Sequence, residues 1–422
     1  MKYLFTAFIA LSIYTVLVDL VFVKTLSSVY PDKIRSRYSF PLGSFWHYLC
    51  SVFFVTTFFI AWFLVKDASS PVNYLIFMWL LFAYLIVYIP KLFYLLFYWA
   101  GFLIQFLMGK MFKKKRVSKV NDGRYPRISR KKFLSQLGIV VASAPFVSLM
   151  FGAFKGRFAF DVKRTRIPFR NLPKSFSGLK IVQISDMHLG SLNSNHDQIE
   201  RVVKMINAEK PDIICFTGDL VNNFHEETIG WDSVMNRMKA PMGKFSILGN
   251  HDYGDYSKWR SKEEKIANFE GILDAHDRFG FKLLKNESVV LSKNGEKIAI
   301  AGVENWGHPP FPQYGDLEKA GKGIEDIPFR ILLSHDPDHW DAEVRHKNMY
   351  SLTLSGHTHG MQLGLRYKNY QWSPAKYKFR RWAGLYHEGK QYLYVNRGLG
   401  YLGMPVRVGM PPEITVIELF SV

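Results

Sequence analysis

The pentapeptide Gly356-His357-Thr358-His359-Gly360 follows an apolar run, Ser351–Leu354, that predicts a short buried strand. Imidazole nitrogens are good ligands for borderline divalent metals. Two histidines separated by one residue can reach different ions of a close metal pair, and the flanking glycines let the backbone turn sharply beneath them. This loop alone does not decide a fold. A metal centre also needs further ligands, which must come from the rest of the chain.

Four more loop segments carry carboxylate, imidazole or amide groups, and each follows an apolar run typical of a strand. They are Asp186-Met187-His188, Gly218-Asp219, Gly249-Asn250-His251-Asp252 and Ser334-His335-Asp336. A carboxylate can bridge two metals ~3.5–4 Å apart because it has two oxygens. Each of these short segments could occur by chance, but five of them in this order indicate a centre for two metal ions. Cys50 and Cys215 are the only cysteines, which excludes a disulfide framework or a cysteine-rich zinc module.

The last two-thirds of the chain combine strands and helices. Strands are predicted at Gly178–Ser185, Asp212–Thr217, Lys244–Leu248, Val289–Leu291, Lys297–Ala301, Phe329–Leu333, Ser351–Leu354, Gln391–Val395 and Ile414–Leu419. Between the first two, Ile199, Val202, Val203 and Ile206 have the i, i+3, i+4, i+7 spacing of a helix face. This order predicts an α/β domain with mixed sheets. The basic, proline-containing residues 156–175 are predicted to be a linker.

The first third of the chain is strongly apolar. Runs at Tyr3–Val23, Phe45–Val65, Pro71–Ile89 and Leu92–Met108 each approach the ~20 residues that span a ~30 Å hydrocarbon core. The last two meet at Pro90-Lys91, which is compatible with a tight hairpin or one broken helix. We therefore predict an all-α transmembrane region over residues 1–110, with about four helices.

A fifth, weaker apolar run at Phe133–Phe154 follows a segment rich in Lys and Arg. Residues 1–155 carry a net charge of +15 out of the chain's +20. Basic flanks beside apolar spans are typical of a cytoplasmic membrane surface rather than of a nucleic-acid site. Residues 111–155 are thus predicted to form a basic cytoplasmic loop and a fifth membrane segment. Residues 156–422 then lie outside the cytoplasm if that segment spans, and inside if it only lies on the membrane.

Taken together, the five loop segments resemble the calcineurin-like metallophosphoesterase superfamily, whose motif order is D-x-H, G-D, G-N-H-D/E, H and G-H-x-H. Every position is filled, within about residues 178–422. The segments Tyr394–Gly400 and Pro411–Ile414 are also similar to the bacterial membrane-anchored YkuE/YaeI-type branch. The resemblance implies a β-sandwich flanked by helices over residues 156–422. With a spanning fifth segment, it implies a multi-pass protein of the bacterial inner membrane with an extracytoplasmic catalytic domain.

The resemblance also implies one ligand set for each of two divalent ions (Mn, Zn or Fe) and a carboxylate shared by both. The first set is Asp186, His188 and His359, the second is Asn250, His335 and His357, and the shared carboxylate is Asp219. His251 would contact the scissile phosphate as transition-state stabiliser or general acid, and Asp252 would orient His251. A water between the two ions would supply the hydroxide that attacks phosphorus in line.

The implied function is hydrolysis of phosphodiester or pyrophosphate bonds by a membrane-anchored enzyme. Residues 366–382, directly after the Gly356–Gly360 loop, interleave basic and aromatic side chains. This composition favours a membrane interface, although base stacking or a solvated surface is also compatible with it. We therefore expect a lipid-linked or envelope substrate and no nucleic-acid partner. The alternatives are a nucleotide or nucleic-acid phosphodiesterase of the same fold, and a non-catalytic membrane-tethered binding module.

Overall fold

The structure is a computed structural model that describes residues 2–29, 40–66, 71–111, 128–192, 195–307, 312–368 and 370–422. The chain divides into two compact units. The first consists of Met1–Asp67 and Ile76–Phe151, and the second of Ala68–Leu75 and Gly152–Val422.

The described residues of the first unit lie mainly in four helices. They are α1 (Lys2–Val29), α2 (Phe40–Lys66), α3 (Pro71–Met111) and α4 (Arg130–Phe154). Within the described residues, three stretches are long and apolar enough to cross a membrane, namely Phe8–Val29, Val72–Met108 and Arg130–Phe158. A shorter apolar stretch, Trp46–Ile60, lies in α2. The predicted basic loop falls largely on residues 112–127, which are outside the described residues.

Helix α3 decides between the two predicted arrangements at Pro90-Lys91. The third and fourth apolar runs lie on one helix of 41 residues with Pro90 inside it, which is the broken-helix alternative. Within the described residues up to Met111, the structure has three helices. Side chains on both sides of Pro90 bind the same carboxylate: Tyr88 Oη and Lys91 Nζ lie 2.8 and 2.6 Å from Asp19. These bonds hold both halves of α3 against α1, and packing of this kind lets a membrane helix continue through a proline.

A buried polar cluster joins three helices of this unit. Asp19 on α1 is fully buried, and its carboxylate also accepts a hydrogen bond from Ser51 on α2, at 2.5 Å. Its partners on α3 are Tyr88 and Lys91. A carboxylate in an apolar helical unit is tolerated only when it is paired and hydrogen-bonded, as it is here. The cluster therefore fixes the relative registers of α1, α2 and α3.

The strands of the second unit form two large sheets and one hairpin. The strands are β1 (Asp161–Phe169), β2 (Leu179–Ile184), β3 (Ile213–Phe216), β4 (Lys244–Ser246), β5 (Lys282–Leu283), β6 (Glu287–Lys293), β7 (Glu296–Gly302), β8 (Arg330–Leu333), β9 (Leu352–Ser355), β10 (Leu365–Tyr367), β11 (Tyr370–Trp372), β12 (Gly384–Glu388), β13 (Gln391–Val395) and β14 (Glu413–Ser421). Their orders are β1-β14-β2-β3-β4-β5, β12-β13-β9-β8-β7-β6 and β10-β11. All nine strands predicted from the sequence are present.

The two six-stranded sheets pack face to face. One buried apolar cluster contains Ile181 and Ile213 from the first sheet and Ile300 and Ile331 from the second. The longer helices of this unit are α5 (His196–Ala208), α6 (Lys262–Arg278) and α7 (Leu317–Gly321). Helix α7 packs on the second sheet through a separate cluster, and the four apolar residues predicted on α5 are buried. The predicted α/β fold, a sandwich flanked by helices, is confirmed.

The predicted linker at residues 156–175 is wrong in its middle part. Asp161–Phe169 is strand β1, which pairs in parallel with β14 along its whole length. The strand lies at a sheet edge, where exposed charges and a proline are common because they block pairing with other chains. Arg164, Arg166 and Pro168 are all exposed. These edge features give the strand the composition of a loop, which explains why the sequence pattern did not reveal it.

Candidate metal centre

The five loop segments come together because each leaves the carboxyl end of a strand. Asp186 and His188 follow β2, Asp219 follows β3, and Asn250 follows β4 in the same sheet. His335 follows β8, while His357 and His359 follow β9 in the facing sheet. Strands β2, β3 and β4 are mutually parallel, as are β8 and β9. Their loops therefore meet at one edge of the sandwich.

One group of candidate ligands consists of Asp186, His188 and His359, all buried. The Nε2 atoms of the two histidines are 3.1 Å apart, and His359 Nε2 is 3.4 Å from Asp186 Oδ1. One donor atom from each residue lies within 4.8 Å of the others. Imidazole nitrogens and a carboxylate oxygen are the donor types that Zn²⁺ and similar ions take in proteins, so this set fits a divalent metal.

A second group consists of Asp219, His335 and His357, with Asn250 among them. Asn250 Oδ1 lies 3.1 Å from His335 Nε2 and 2.8 Å from His357 Nδ1. His335 Nδ1 donates a hydrogen bond to the carbonyl of Thr217, at 2.7 Å, which leaves Nε2 as the donor atom for a metal. The predicted second ligand set is thus gathered in one place.

The carboxylate of Asp219 lies between the two groups. Its Oδ2 is 3.2 Å from His335 Nε2 and 3.6 Å from His188 Nε2. Burial alone would raise the pKa of Asp219, but the imidazoles of His335 and His251 hold that pKa well below its usual range. Asp219 is therefore an ionised carboxylate within reach of both groups, which is the geometry of a bridging ligand.

Burial keeps several histidines of the centre neutral. It lowers the pKa of His188 to about 3 and that of His357 to about 4. Burial, with the repulsion of Asp219, raises the pKa of Asp186 to about 7. Neutral imidazoles keep a lone pair for a metal, and two buried carboxylates that repel each other favour a cation between them.

The backbone of the centre is strained. Asp186, His188, Asp219, His357 and His359 have φ angles of 48°, 45°, 58°, 72° and 50°, in the left-handed region that non-glycine residues rarely adopt. Such strain persists only where the surrounding structure enforces it, and it concentrates at functional sites.

Close backbone approach in the centre requires glycine. A Cβ atom on Gly249 would lie 2.2 Å from Asp219 Oδ1, and one on Gly356 would lie 2.3 Å from Asp186 Oδ2. The glycines of two motifs thus make room for carboxylates of two other motifs.

His251 and Asp252 also lie at the centre, and the side chain of each is hydrogen-bonded to backbone groups of other residues. His251 Nδ1 donates to the carbonyl of Asn222, at 2.7 Å, and the His251 and His188 rings are 4.9 Å apart. The Asp252 carboxylate instead accepts hydrogen bonds from backbone amides of Asp219, Leu220, Val221 and Gly249. The oxygens of Asp252 are thus taken by the loops that carry Asp219 and Asn250, so any orientation of His251 by Asp252 acts through these loops.

The sequence did not indicate Glu227 and Arg407, two residues that hold residues of the centre in place. Glu227 accepts hydrogen bonds from backbone amides of Gly190, Asn222, Asn223 and Phe224, which fixes the carbonyl that holds His251. Arg407 Nη2 lies 3.1 Å from His359 Nδ1 and donates to it. No local motif marks either residue, since their partners are backbone groups or distant in sequence.

Tyr256 lies at the open side of the centre. Its hydroxyl accepts a hydrogen bond from Asn250 Nδ2, at 2.7 Å, and its ring stacks on His251 at 4.5 Å. It is 45% exposed, so it is accessible from solvent while it contacts the candidate ligand Asn250. In a single sequence, the position of this tyrosine four residues after the G-N-H-D motif does not mark it as a site residue.

Comparison with known proteins agrees with this geometry. Residues 179–361 match the family described as calcineurin-like phosphoesterase, and residues 1–157 match one described as probable calcineurin-like phosphoesterase, transmembrane domain. The uncharacterized metallophosphoesterase YkuE of Bacillus subtilis (strain 168) is 33% identical over 307 residues, which cover 70% of this chain and 99% of that relative.

Two other similar proteins match this chain less completely. A transmembrane protein with metallophosphoesterase domain from Danio rerio is 30% identical over 261 residues, covering 60% of this chain but only 56% of its own length. The solved dimetal phosphatase from Danio rerio has a TM-score of 0.32 and 11% identity over 53% of this chain and 88% of that chain, and such a score supports no conclusion by itself. The two family matches and the nearly full-length coverage of YkuE show that this chain belongs to the calcineurin-like phosphoesterase family, as a metal-dependent phosphoesterase with an N-terminal transmembrane domain.

Proposed function

We propose that the chain hydrolyses phosphodiester or pyrophosphate bonds at a centre for two divalent metal ions. The position of Asp219 Oδ2, close to His188 and His335 at once, is the observation that carries this proposal. Asp186, His188 and His359 would hold one ion, and Asn250, His335 and His357 would hold the other. When bound, two such ions supply an acidified water as nucleophile and neutralise charge on the phosphoryl oxygens.

Residues at and around the ligands would also contribute to substrate binding and to the reaction. His251 donates from Nδ1 to Asn222, so its Nε2 is available to contact a phosphate oxygen or protonate the leaving oxygen. The Asn250 side chain is a neutral amide, which keeps the negative charge of the ligand set low and favours the approach of an anionic substrate. Tyr256 would border the substrate beside Asn250 and His251.

For the substrate, we favour a lipid-linked or envelope phosphoester. The transmembrane domain and the exposed basic and aromatic residues after the His359 loop support this class. For the location, we favour a multi-pass protein of the bacterial inner membrane. The basic residues between α3 and α4 favour a cytoplasmic loop there, and a crossing by α4 then leads the chain to the other side of the membrane.

The test uses the full chain in detergent, stripped of metal and supplied with Mn²⁺, Zn²⁺ or Fe²⁺. We expect metal-dependent hydrolysis of bis-p-nitrophenyl phosphate, abolished in Asn250→Ala. The control is Asn207→Ala, which alters a partly buried asparagine whose partners are the backbones of Arg237 and Lys239. Two bound ions without turnover of any diester, pyrophosphate or lipid-linked phosphate would favour the binding module. Turnover limited to nucleotides or nucleic acids would favour the other alternative.

A further inference from the structure

A surface of exposed aromatic and aliphatic side chains follows the metal-binding loop of His357 and His359. It consists of residues 365–368 and 370–379, which include β10, β11 and the short helix Pro374–Tyr377, and we call it the docking hairpin. The exposed fractions of Leu365, Tyr367, Tyr370 and Tyr377 are 65%, 71%, 62% and 76%. Exposed apolar groups gathered in one segment mark an interaction surface more often than ordinary solvated surface.

The charged residues of the docking hairpin complement an anionic partner. Lys368 and Lys376 place their Nζ atoms over the rings of Tyr367 and Tyr377, at 5.6 and 5.0 Å, and Lys378 lies over Phe379 at 4.9 Å. In the described part of the chain, none of these three lysines forms an ion pair with a carboxylate. Tyrosine rings with unpaired lysines beside them suit the boundary between lipid headgroups and acyl chains.

The docking hairpin is fixed to the metal centre by buried contacts. Ser373 Oγ donates to the carbonyl of Gly360, at 2.6 Å, and Thr358 Oγ1 donates to the carbonyl of Trp382, at 2.7 Å. The Phe379 ring meets the His357 ring edge-on at 5.5 Å. Whatever binds the docking hairpin is therefore held at a fixed position relative to the two histidines.

The base of the docking hairpin is linked through Val408 and Arg407 to Gly152, the first residue of the longer segment of the second unit. Gly364 N donates to the carbonyl of Val408, at 2.8 Å, and Arg407 N donates to the carbonyl of Gly152, at 3.2 Å. Gly152 belongs to the last turn of α4 and, like Arg407 and Val408, to the second compact unit. A Cβ on Gly152 would lie 2.6 Å from the Val408 side chain, so this approach is close.

We propose that the docking hairpin lies on the anionic headgroup region of the membrane that anchors the chain, with its tyrosines at the headgroup boundary and its lysines on phospholipid phosphates. Because the chain is tethered, the local lipid concentration is high and a weak contact is sufficient. This contact would hold the metal centre at the level of the lipid headgroups. Lipid contact by the docking hairpin does not depend on which substrate the metal centre hydrolyses.

Hydrogen–deuterium exchange of the full chain in nanodiscs tests this directly. Discs of phosphatidylcholine are compared with discs that also contain phosphatidylglycerol. We expect amides of the docking hairpin to exchange more slowly in the anionic discs, by about fivefold or more, which is the effect of a single lysine at an anionic surface. The hairpin of β6 and β7 is the internal control, because it is also antiparallel and partly exposed, and its exchange should not change.

Two variants separate lipid contact from folding. The variant Lys368→Glu/Lys376→Glu/Lys378→Glu should lose the protection by anionic lipid, while Lys293→Glu/Lys297→Glu on the control hairpin should keep it. Hydrolysis of a small soluble diester reports separately on the metal centre in both variants. Equal exchange of the docking hairpin in the two kinds of disc would overturn the proposal. So would protection by a single-stranded oligonucleotide in detergent without lipid, since that result would assign the surface to nucleic acid.

Discussion

The backbone amide of Asp219 donates a hydrogen bond to Oδ2 of Asp252, at 3.0 Å. The same carboxylate also accepts from the amides of Leu220, Val221 and Gly249. Asp252 thus ties the loop of the shared carboxylate to the loop of Asn250. The conformation of two candidate ligand loops therefore rests on one fully buried side chain.

Replacing Asp252 should therefore damage the centre rather than only the reaction. Asp252→Ala leaves four buried amide donors without their acceptor, and each lost bond to a charged group is worth about 1.5–3 kcal/mol. We expect a clear fall in the free energy of unfolding together with lower metal affinity, measured by denaturant titration and metal analysis. Slow turnover with unchanged stability and metal content would instead mean that Asp252 acts on His251.

His251 should show the opposite behaviour. It lies beside His188 but belongs to neither group of candidate metal ligands. His251→Ala should keep both ions while turnover falls by about 10²–10⁴-fold, the usual effect of losing a general acid or base. His188→Ala is the comparison and should lose metal. Loss of metal from the His251 variant would make His251 a ligand and contradict its assigned role.

Gly249 should not tolerate a methyl group. A Cβ there would lie 2.2 Å from Asp219 Oδ1, so Gly249→Ala must displace the shared carboxylate. We expect the loss of metal-dependent activity and weaker binding of both ions. Gly295→Ala is the control: its φ of +81° carries a strain of about 1–2 kcal/mol, but the added methyl meets no atom within 4 Å. If both variants kept normal metal binding, the close approach of these loops would be wrong.

His276 should make the second unit sensitive to acid. It lies on α6, is fully buried, and burial lowers its pKa to about 3. Below pH ~6.5 the unfolded chain gains a proton that the folded chain does not, so stability falls with pH by about 1.4 kcal/mol per unit down to about pH 3.

His276→Leu removes this titration. Between pH 7 and pH 5, the free energy of unfolding of the variant should fall by about 2 kcal/mol less than that of the unchanged chain. Denaturant titrations of the detergent-solubilised chain at the two pH values measure this difference. The same pH dependence in both proteins would show that His276 is not buried in its neutral form.

The sequence indicated the candidate ligand residues and the central strands for a physical reason. Strands buried on both faces are continuous apolar runs, and the ligand motifs follow them directly along the chain, so a short window contains both signals. Helix α5 was predictable because its four apolar residues repeat with the helical period.

The parts that were missed depend on partners far away in sequence. Strand β1 is held by β14, about 250 residues later, and its exposed face has the composition of a loop. At Pro90 the sequence left a hairpin and one broken helix open, because the Asp19 contacts that bridge the proline lie outside any local pattern. The contact of His251 is with a backbone carbonyl of another loop, so the motif could identify the histidine but not its partner.

The central claim is that two ions share Asp219, and the number of bound ions tests it most directly. The full chain, stripped of metal and titrated with Mn²⁺, should bind two ions, and activity should follow occupancy of the second. Asn250→Ala should bind one ion through the group of Asp186, His188 and His359 and should be inactive. A chain that hydrolyses a diester with one ion bound, or an Asn250→Ala variant that still binds two and turns over, would contradict the account.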